Sequence, residues 1–185
     1  FVIIINKQRK VSTEENFFDS WRAKKKYAGG GIVIDQGIHM VDLIRYLSNQ
    51  NFTEVSSYVT TSFWKIKAED NAFAMLKSEE NIVAMIHSSA TQWRHKFLLE
   101  ICFENGYINL DGILSNTRSY APEKLITAKR EFEDITFAMG KPKESITWFE
   151  NDDSWYLEIK EFIDAIEKGK PIENGTIYDA IETLS

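Results

Sequence analysis

The amino-acid sequence predicts an α+β fold, an open and mostly antiparallel β-sheet with helices on one face. Three observations carry that prediction. The patterned segments run strand, helix, many consecutive strands, helix, helix, and strands grouped apart from helices are the mark of this class. Parallel βαβ alternation is absent. So is a G-x-G-x-x-G turn after a strand, because Gly29-Gly30-Gly31 precedes a helix without that spacing.

The elements follow in order. Phe1 to Val11 reads as a strand, with β-branched residues dominating its first half. Ser12 to Tyr27 is polar and irregular, and Trp21-Arg22 stands out in it. The next stretch, GGGIVIDQGIHMVDLIRYL from Gly29 to Leu47, reads as a helix, since it is long enough and free of proline. Its glycines suit a tight preceding turn. At about 100° per residue, Asp42, Asp35, Tyr46 and His39 fall within an arc of roughly 60°. Apart from Gln36 and Arg45, the rest of the circumference is apolar, which predicts a buried helix. Its one polar stripe then needs compensating partners or a cleft, because an unpaired buried carboxylate protonates instead.

A long β region comes next. Thr53–Trp64, Asn71–Lys77, Ile82–Ala90, Lys96–Glu104 and Tyr107–Leu110 show alternation or β-branched runs. Hairpin breaks stand at Glu79-Glu80-Asn81 and Glu104-Asn105-Gly106. Ile113–Tyr120 and Lys124–Ala128 read as shorter strands, and the charged Glu131–Ser145, with Gly140 and Pro142, as a surface excursion. Asp152–Lys168 is an amphipathic helix with Trp155, Ile159, Phe162, Ile163 and Ile166 on one face, ended by Gly169. Pro171 and Gly175 punctuate the approach to a last helix from Thr176. Phe73 and Met75 lie opposite Ala72, Ala74 and Leu76, so neither side of that strand is polar. Such strands need cover on both faces, and three helices are too few. The uncovered face is therefore predicted to pair with a second copy, as a homodimer or homotetramer.

The totals set limits. At 185 residues, the chain suits a single domain spanning 1–185 with a real core. Its 43% apolar and 13% aromatic content is globular, not disordered. A net charge of -6 argues against general nucleic-acid binding. The single Cys102 excludes an intrachain disulfide framework and a multi-cysteine zinc site, and its alternating run reads as packing. No stretch reaches about 18 apolar residues, so no membrane helix is predicted. The first residues do not form a signal peptide, and the cytoplasm is the expected compartment. There is no initiating methionine, and both ends fall inside patterned runs, which reads as a segment of a longer protein.

The polar stripe is the candidate chemistry. Aspartate beside histidine is a common acid–base device, the carboxylate orienting the imidazole and setting its tautomer. The bland reading stays open: an internal Asp35–His39 pair, or caps on neighbouring backbone. A metal site on Asp35 and His39 has two ligands, too few for tight binding.

In sequence, the chain resembles the C-terminal domain of the Gfo/Idh/MocA family of oxidoreductases. The resemblance rests on Gly30-Gly31, Asp35, His39 and Asp42 in the helical stretch, on Trp21-Arg22 before it, on EDNAFAML opening at Glu69-Asp70, and on KPIENGTIYDAIETL near the end. It covers nearly the whole chain. It implies the substrate and oligomerisation half of a dehydrogenase that uses NAD or NADP, with the Rossmann domain absent from this chain. It implies that His39 takes the proton of a sugar, sugar-nucleotide or cyclic-polyol hydroxyl while Asp35 holds and polarises that centre. Asp42 would be a structural or substrate-side neighbour. Beside Trp21, Arg22 reads equally as a ligand for a carboxylate or phosphate and as a surface arginine in a loop. Gln92, Trp93, Arg94 and His95 read as strand-end packing before cleft lining, and His87 as structural. The resemblance implies no cofactor-binding residues on this chain and no metal. The competing reading is a non-catalytic oligomerisation or binding module, which has no need of Asp35 and His39 facing a cleft.

Overall fold

The first strand lies in the middle of the sheet. The computed structural model describes residues 1–10, 19–130, 142–172 and 174–185. The strands are β1 Val2–Lys10, β2 Phe52–Thr60, β3 Asn71–Ser78, β4 Val83–Gln92, β5 Lys96–Phe103, β6 Gly106–Ile113, β7 Tyr120–Lys129 and β8 Glu144–Phe149. They form one eight-stranded sheet in the order β2-β3-β4-β1-β5-β6-β7-β8. Only β1 and β4 run parallel; the other neighbours are antiparallel. The expected open, mostly antiparallel sheet is what forms. Two meanders flank β1, and Trp93–His95 link them past its C-terminal end, since Gln92 pairs with Lys10 and Lys96 with Gln8.

The helices are a four-residue α1, Lys25–Ala28, then α2 Ile38–Ser48, α3 Ser154–Lys168 and α4 Ile177–Leu184. A short 3-10 turn, Trp21–Ala23, precedes α1, and a π-helical turn, Val33–Gly37, leads into α2. The core lies between α2 and the centre of the sheet. Met40 and Ile44 meet Ile3 and Ile5 of β1, Ile86 of β4, and Phe97 and Leu99 of β5. These strand residues share one face by register: Ile3 pairs with Ala84 and Ile101, and Ile5 with Ile86 and Leu99.

Several expectations need correction. Thr53–Trp64 does not stay extended to its end, because Asp70 gathers the N–H groups of Ser62, Phe63 and Trp64 into a turn. Ile113–Tyr120 is not a strand. Ile113 closes β6, and Tyr120 opens a single long β7 that absorbs Lys124–Ala128. The ladder slips at Gly112, whose φ of +81° favours glycine and where a Cβ would lie 1.8 Å from the Pro122 carbonyl oxygen. Val11, residues 12–18 of the polar segment and residues 131–141 of the excursion lie outside the described residues. The end of that excursion enters β8, whose Ile146 and Trp148 alternate as a strand should. Cys102 is exposed, not packed.

The helix from Ile32 is buried on one side only. Ile32, Gly37, Met40 and Ile44 face the sheet, whereas Val33, Ile34 and Leu47 are exposed. A sheet covers one stripe of a helix, and α4, which meets α2 through Asp42 and Arg45, leaves Val33, Ile34 and Leu47 in the open. The amphipathic α3 likewise has no buried residue, and Trp155, Ile159, Phe162 and Ile166 are all at least half exposed. The sheet face away from α2 carries Phe73, Met75, Met85, Ile146 and Trp148, each exposed. On that face His87 stacks on Phe73 at 4.2 Å and receives a hydrogen bond from Gln8. Burial, then the Lys96 charge, hold its imidazole below the usual histidine pKa. No helix among the described residues is long and apolar enough to cross a membrane.

Candidate functional site

In β1 the residues that point toward α2 change from apolar to basic: Ile3, Ile5, Lys7, Arg9. A strand alternates its faces, so the two cations stand on the core side where the sheet ends. There Arg9 Nη1 donates to Asp35 Oδ2 at 2.5 Å, and both side chains are partly exposed. The carboxylate predicted to orient a histidine is thus paired with an arginine that the reading of the sequence did not single out. The signal was present in the alternation, because charged residues had taken core-side positions. Burial and the neighbouring Arg9 push the Lys7 ammonium below its ordinary pKa, with Asp35 opposing. Burial also raises the Tyr120 phenol. Its ring lies 4.8 Å from His95 and 6.0 Å from Lys7 Nζ.

The helix that carries Asp35 is held at its start by Glu69. Gly31 N–H donates to Glu69 Oε1 at 2.8 Å, Val33 N–H to the same oxygen at 3.3 Å, and Ile32 N–H to the Glu69 carbonyl at 2.9 Å. These are among the backbone donors that the first turn of a helix leaves unpaired. Gly31 is required by closeness: a Cβ there would lie 2.0 Å from the Glu69 carbonyl oxygen. The adjacent Asp70 is fully buried and accepts from the N–H groups of Ser62, Phe63 and Trp64 and from the Asn71 amide. Burial alone would raise its pKa, but those hydrogen bonds hold it below the usual aspartate value. The turn it gathers sets Trp64, whose indole N–H donates to the Ala90 carbonyl.

These pieces enclose a cavity of about 360 Å³, lined by Arg9, Trp21, Arg22, Asp35, Trp64 and Glu69 with Gly30–Ile32 and Ile34. Of the residues singled out in the sequence, Trp21, Arg22 and Asp35 come together here. The Arg22 guanidinium lies 5.1 Å from the Trp21 ring centre. His39 follows on the same helix but is exposed and does not line this cavity. No hydrogen bond joins it to Asp35 among the described residues. Asp35 sits in the π-helical turn, whose wider turn advances each residue by less than the α-helix that carries His39 does. Asp42 lies apart, in a groove with Arg45, Tyr46, Asn51 and Asp179, where it accepts from the Thr183 hydroxyl at 3.1 Å. Gln92 closes β4, and Trp93 and Arg94 are exposed.

What the arrangement offers chemically follows from its parts. Two indoles supply flat apolar surface, and Arg9, Arg22, Asp35 and Glu69 supply donors and acceptors for hydroxyls or a charged group. At the helix start that follows Gly30-Gly31, the backbone donors that a helix N-terminus offers to an anion are taken by the Glu69 carboxylate. Among the described residues no three His, Cys, Asp or Glu side chains gather as metal ligands.

Comparison with known proteins identifies the family and the fold. The family model described as the GFO/IDH/MocA C-terminal domain matches residues 6–109. Among solved structures, levoglucosan dehydrogenase in complex with NADH and levoglucosan superposes with a TM-score of 0.78 at 16% identity, covering 100% of this chain and 54% of that one. Aldose–aldose oxidoreductase from Caulobacter crescentus gives 0.74 at 16% identity, over 99% and 50%. UDP-N-acetylglucosamine 3-dehydrogenase from Acidithiobacillus ferrooxidans gives 0.65 at 16%, over 92% and 47%. At that identity the likeness shows the fold. The chain spans about half the length of each of these proteins. No curated protein sequence matches it.

Proposed function

The chain belongs to the GFO/IDH/MocA C-terminal domain family, and from that premise we propose that it is the substrate-binding and oligomerisation domain of a nicotinamide-dependent dehydrogenase of sugars, sugar nucleotides or cyclic polyols. The observation that carries this reading is the cavity where the Asp35–Arg9 pair meets Trp21, Arg22 and Trp64. A sugar ring presents an apolar face and a rim of hydroxyls, and indole rings beside paired charges suit both. In this reading the NAD or NADP belongs to a separate Rossmann domain and supplies the hydride acceptor.

The chain's own residues do the remaining work. Asp35, held by Arg9, accepts a hydrogen bond from a hydroxyl beside the reacting one and so holds the reacting centre in place. His39, exposed on the same helix, takes the proton of the reacting hydroxyl. Its exposure leaves it free to face a neighbouring domain. Arg22 takes any anionic substituent, with its guanidinium braced on Trp21. Asp42 acts from outside the cavity. The proposed compartment is the cytoplasm.

The open sheet face is the proposed site of self-association. Phe73, Met75, Met85, Ile146 and Trp148 are too many apolar groups to leave in water, and a second copy covers them in a twofold arrangement. The area buried should exceed about 2,000 Å² in total.

The test is made in the full-length protein with its adjoining domain. His39→Ala and, separately, Asp35→Asn should each lower turnover by roughly 10²–10⁴-fold, the usual size of an acid–base contribution. Wild-type turnover in both would overturn the assignment.

A further inference from the structure

The Asp35 side chain meets Arg9 only if the turn that carries it keeps its register. That turn is π-helical, a rare geometry that needs outside support. On one side, Gly37 faces Ser88, whose Cβ would lie 3.8 Å from a Cβ added at Gly37, and the Ser88 hydroxyl reaches the Ile32 carbonyl. On the other side stands Glu69, with three hydrogen bonds to Gly31, Ile32 and Val33. Asp35 N–H in turn donates to the Gly31 carbonyl at 3.0 Å. The bonded path from Glu69 to the Asp35 backbone therefore passes through one residue, Gly31.

We infer that Glu69 is a positioning residue: its carboxylate locks the start of the π-helical turn and thereby fixes the aim of Asp35 into the cavity. The inference deepens the proposed dehydrogenase site and rests on that reading. Glu69 also borders the cavity, so a direct grip on substrate is the rival role. The two differ in what the side chain must be. Capping needs an acceptor oxygen at the Oε1 position, and a glutamine supplies one. A substrate grip by a carboxylate needs its charge, which glutamine lacks.

The experiment uses the full-length protein with Glu69→Ala and Glu69→Gln, alone and combined with Asp35→Asn. Glu69→Ala should lower kcat by roughly 10- to 100-fold with little change in KM, the cost of misplacing a group by about an ångström. Glu69→Gln should restore kcat to within about threefold, because backbone capping survives. In the Asp35→Asn background, Glu69→Ala should cost almost nothing more, since it acts through Asp35. Amide exchange in the substrate-free protein reads the same point without activity. Gly31 and Val33 should exchange roughly fivefold faster or more in Glu69→Ala, and normally in Glu69→Gln. A raised KM in Glu69→Gln, or unchanged exchange in Glu69→Ala, would overturn the inference. Wild-type turnover in Asp35→Asn would instead remove Asp35 from the proposed site, and the exchange data would still decide what Glu69 does.

Discussion

Asp70 is the buried carboxylate on which one wall of the cavity depends. Its Oδ2 accepts from Ser62, Phe63 and Trp64 N–H at 3.0, 2.7 and 2.9 Å, and its Oδ1 from Ser62 N–H at 2.8 Å and Asn71 Nδ2 at 3.0 Å. Truncation to alanine removes the acceptor for three backbone donors at once. A buried donor left unpaired costs about 1–3 kcal/mol. Ser62 and Phe63 are exposed residues whose N–H groups can turn to water, whereas Trp64 is buried. With about 1–3 kcal/mol for the Trp64 donor and about 1 kcal/mol for each of the charge-assisted bonds lost at Ser62 and Phe63, Asp70→Ala should cost about 3–5 kcal/mol. At about 2–4 °C per kcal/mol for a chain of this size, Tm should fall by roughly 6–20 °C. Asp70→Asn keeps one acceptor oxygen and should cost less, about 1–2 kcal/mol. The pH dependence has a definite sign. The folded carboxyl titrates below the ordinary aspartate value of 3.8, so it binds fewer protons folded than unfolded. Its stabilisation is therefore complete above that value and fades as pH falls through the lowered folded pKa. Urea unfolding of parent, alanine and asparagine variants at neutral pH and stepwise toward acid measures all of this. An Asp70→Ala protein within about 1 kcal/mol of the parent would refute the accounting, as would a parent–asparagine gap that widens in acid.

Further expectations concern neighbouring features. Gly31→Ala should destabilise by about 1–3 kcal/mol through overpacking against the Glu69 carbonyl, read as a lower urea midpoint; an unchanged midpoint would mean that the two backbones separate freely. Arg9→Met should change stability by less than about 1 kcal/mol, because the ion pair is partly exposed, yet should lower kcat/KM in the full-length enzyme by about tenfold or more by releasing Asp35; an unaltered kcat/KM would remove Arg9 from the site. Light scattering at micromolar concentration should show a dimer or larger, and Met85→Glu, which puts a charge on the open sheet face, should shift it toward monomer. A monomeric parent would falsify the proposed interface. Calorimetry of this chain with NAD or NADP should show no specific binding, and micromolar affinity would mean that the Glu69 carboxylate does not keep a pyrophosphate from the helix start at Gly31.

The sequence by itself determined the class of fold, because hydrophobic period is a local property. Consecutive alternating runs forced an antiparallel sheet, and the spacing of Met40 and Ile44 forced a helix with one face toward it. It also marked the neighbourhood of the cavity, through Trp21, Arg22 and Asp35. It did not reveal that β1 is central, since strand order depends on which edges pair across long separations. It did not reveal Arg9 as the partner of Asp35, or Glu69 as the support of the helix start, for the same reason: each contact joins residues far apart in the chain. Local pattern also misled at the end of β2. Trp64 continued an extended run until the buried Asp70 carboxylate captured its N–H and those of Ser62 and Phe63. That acceptor outweighed the preference of the local segment, and only the tertiary structure contains that term.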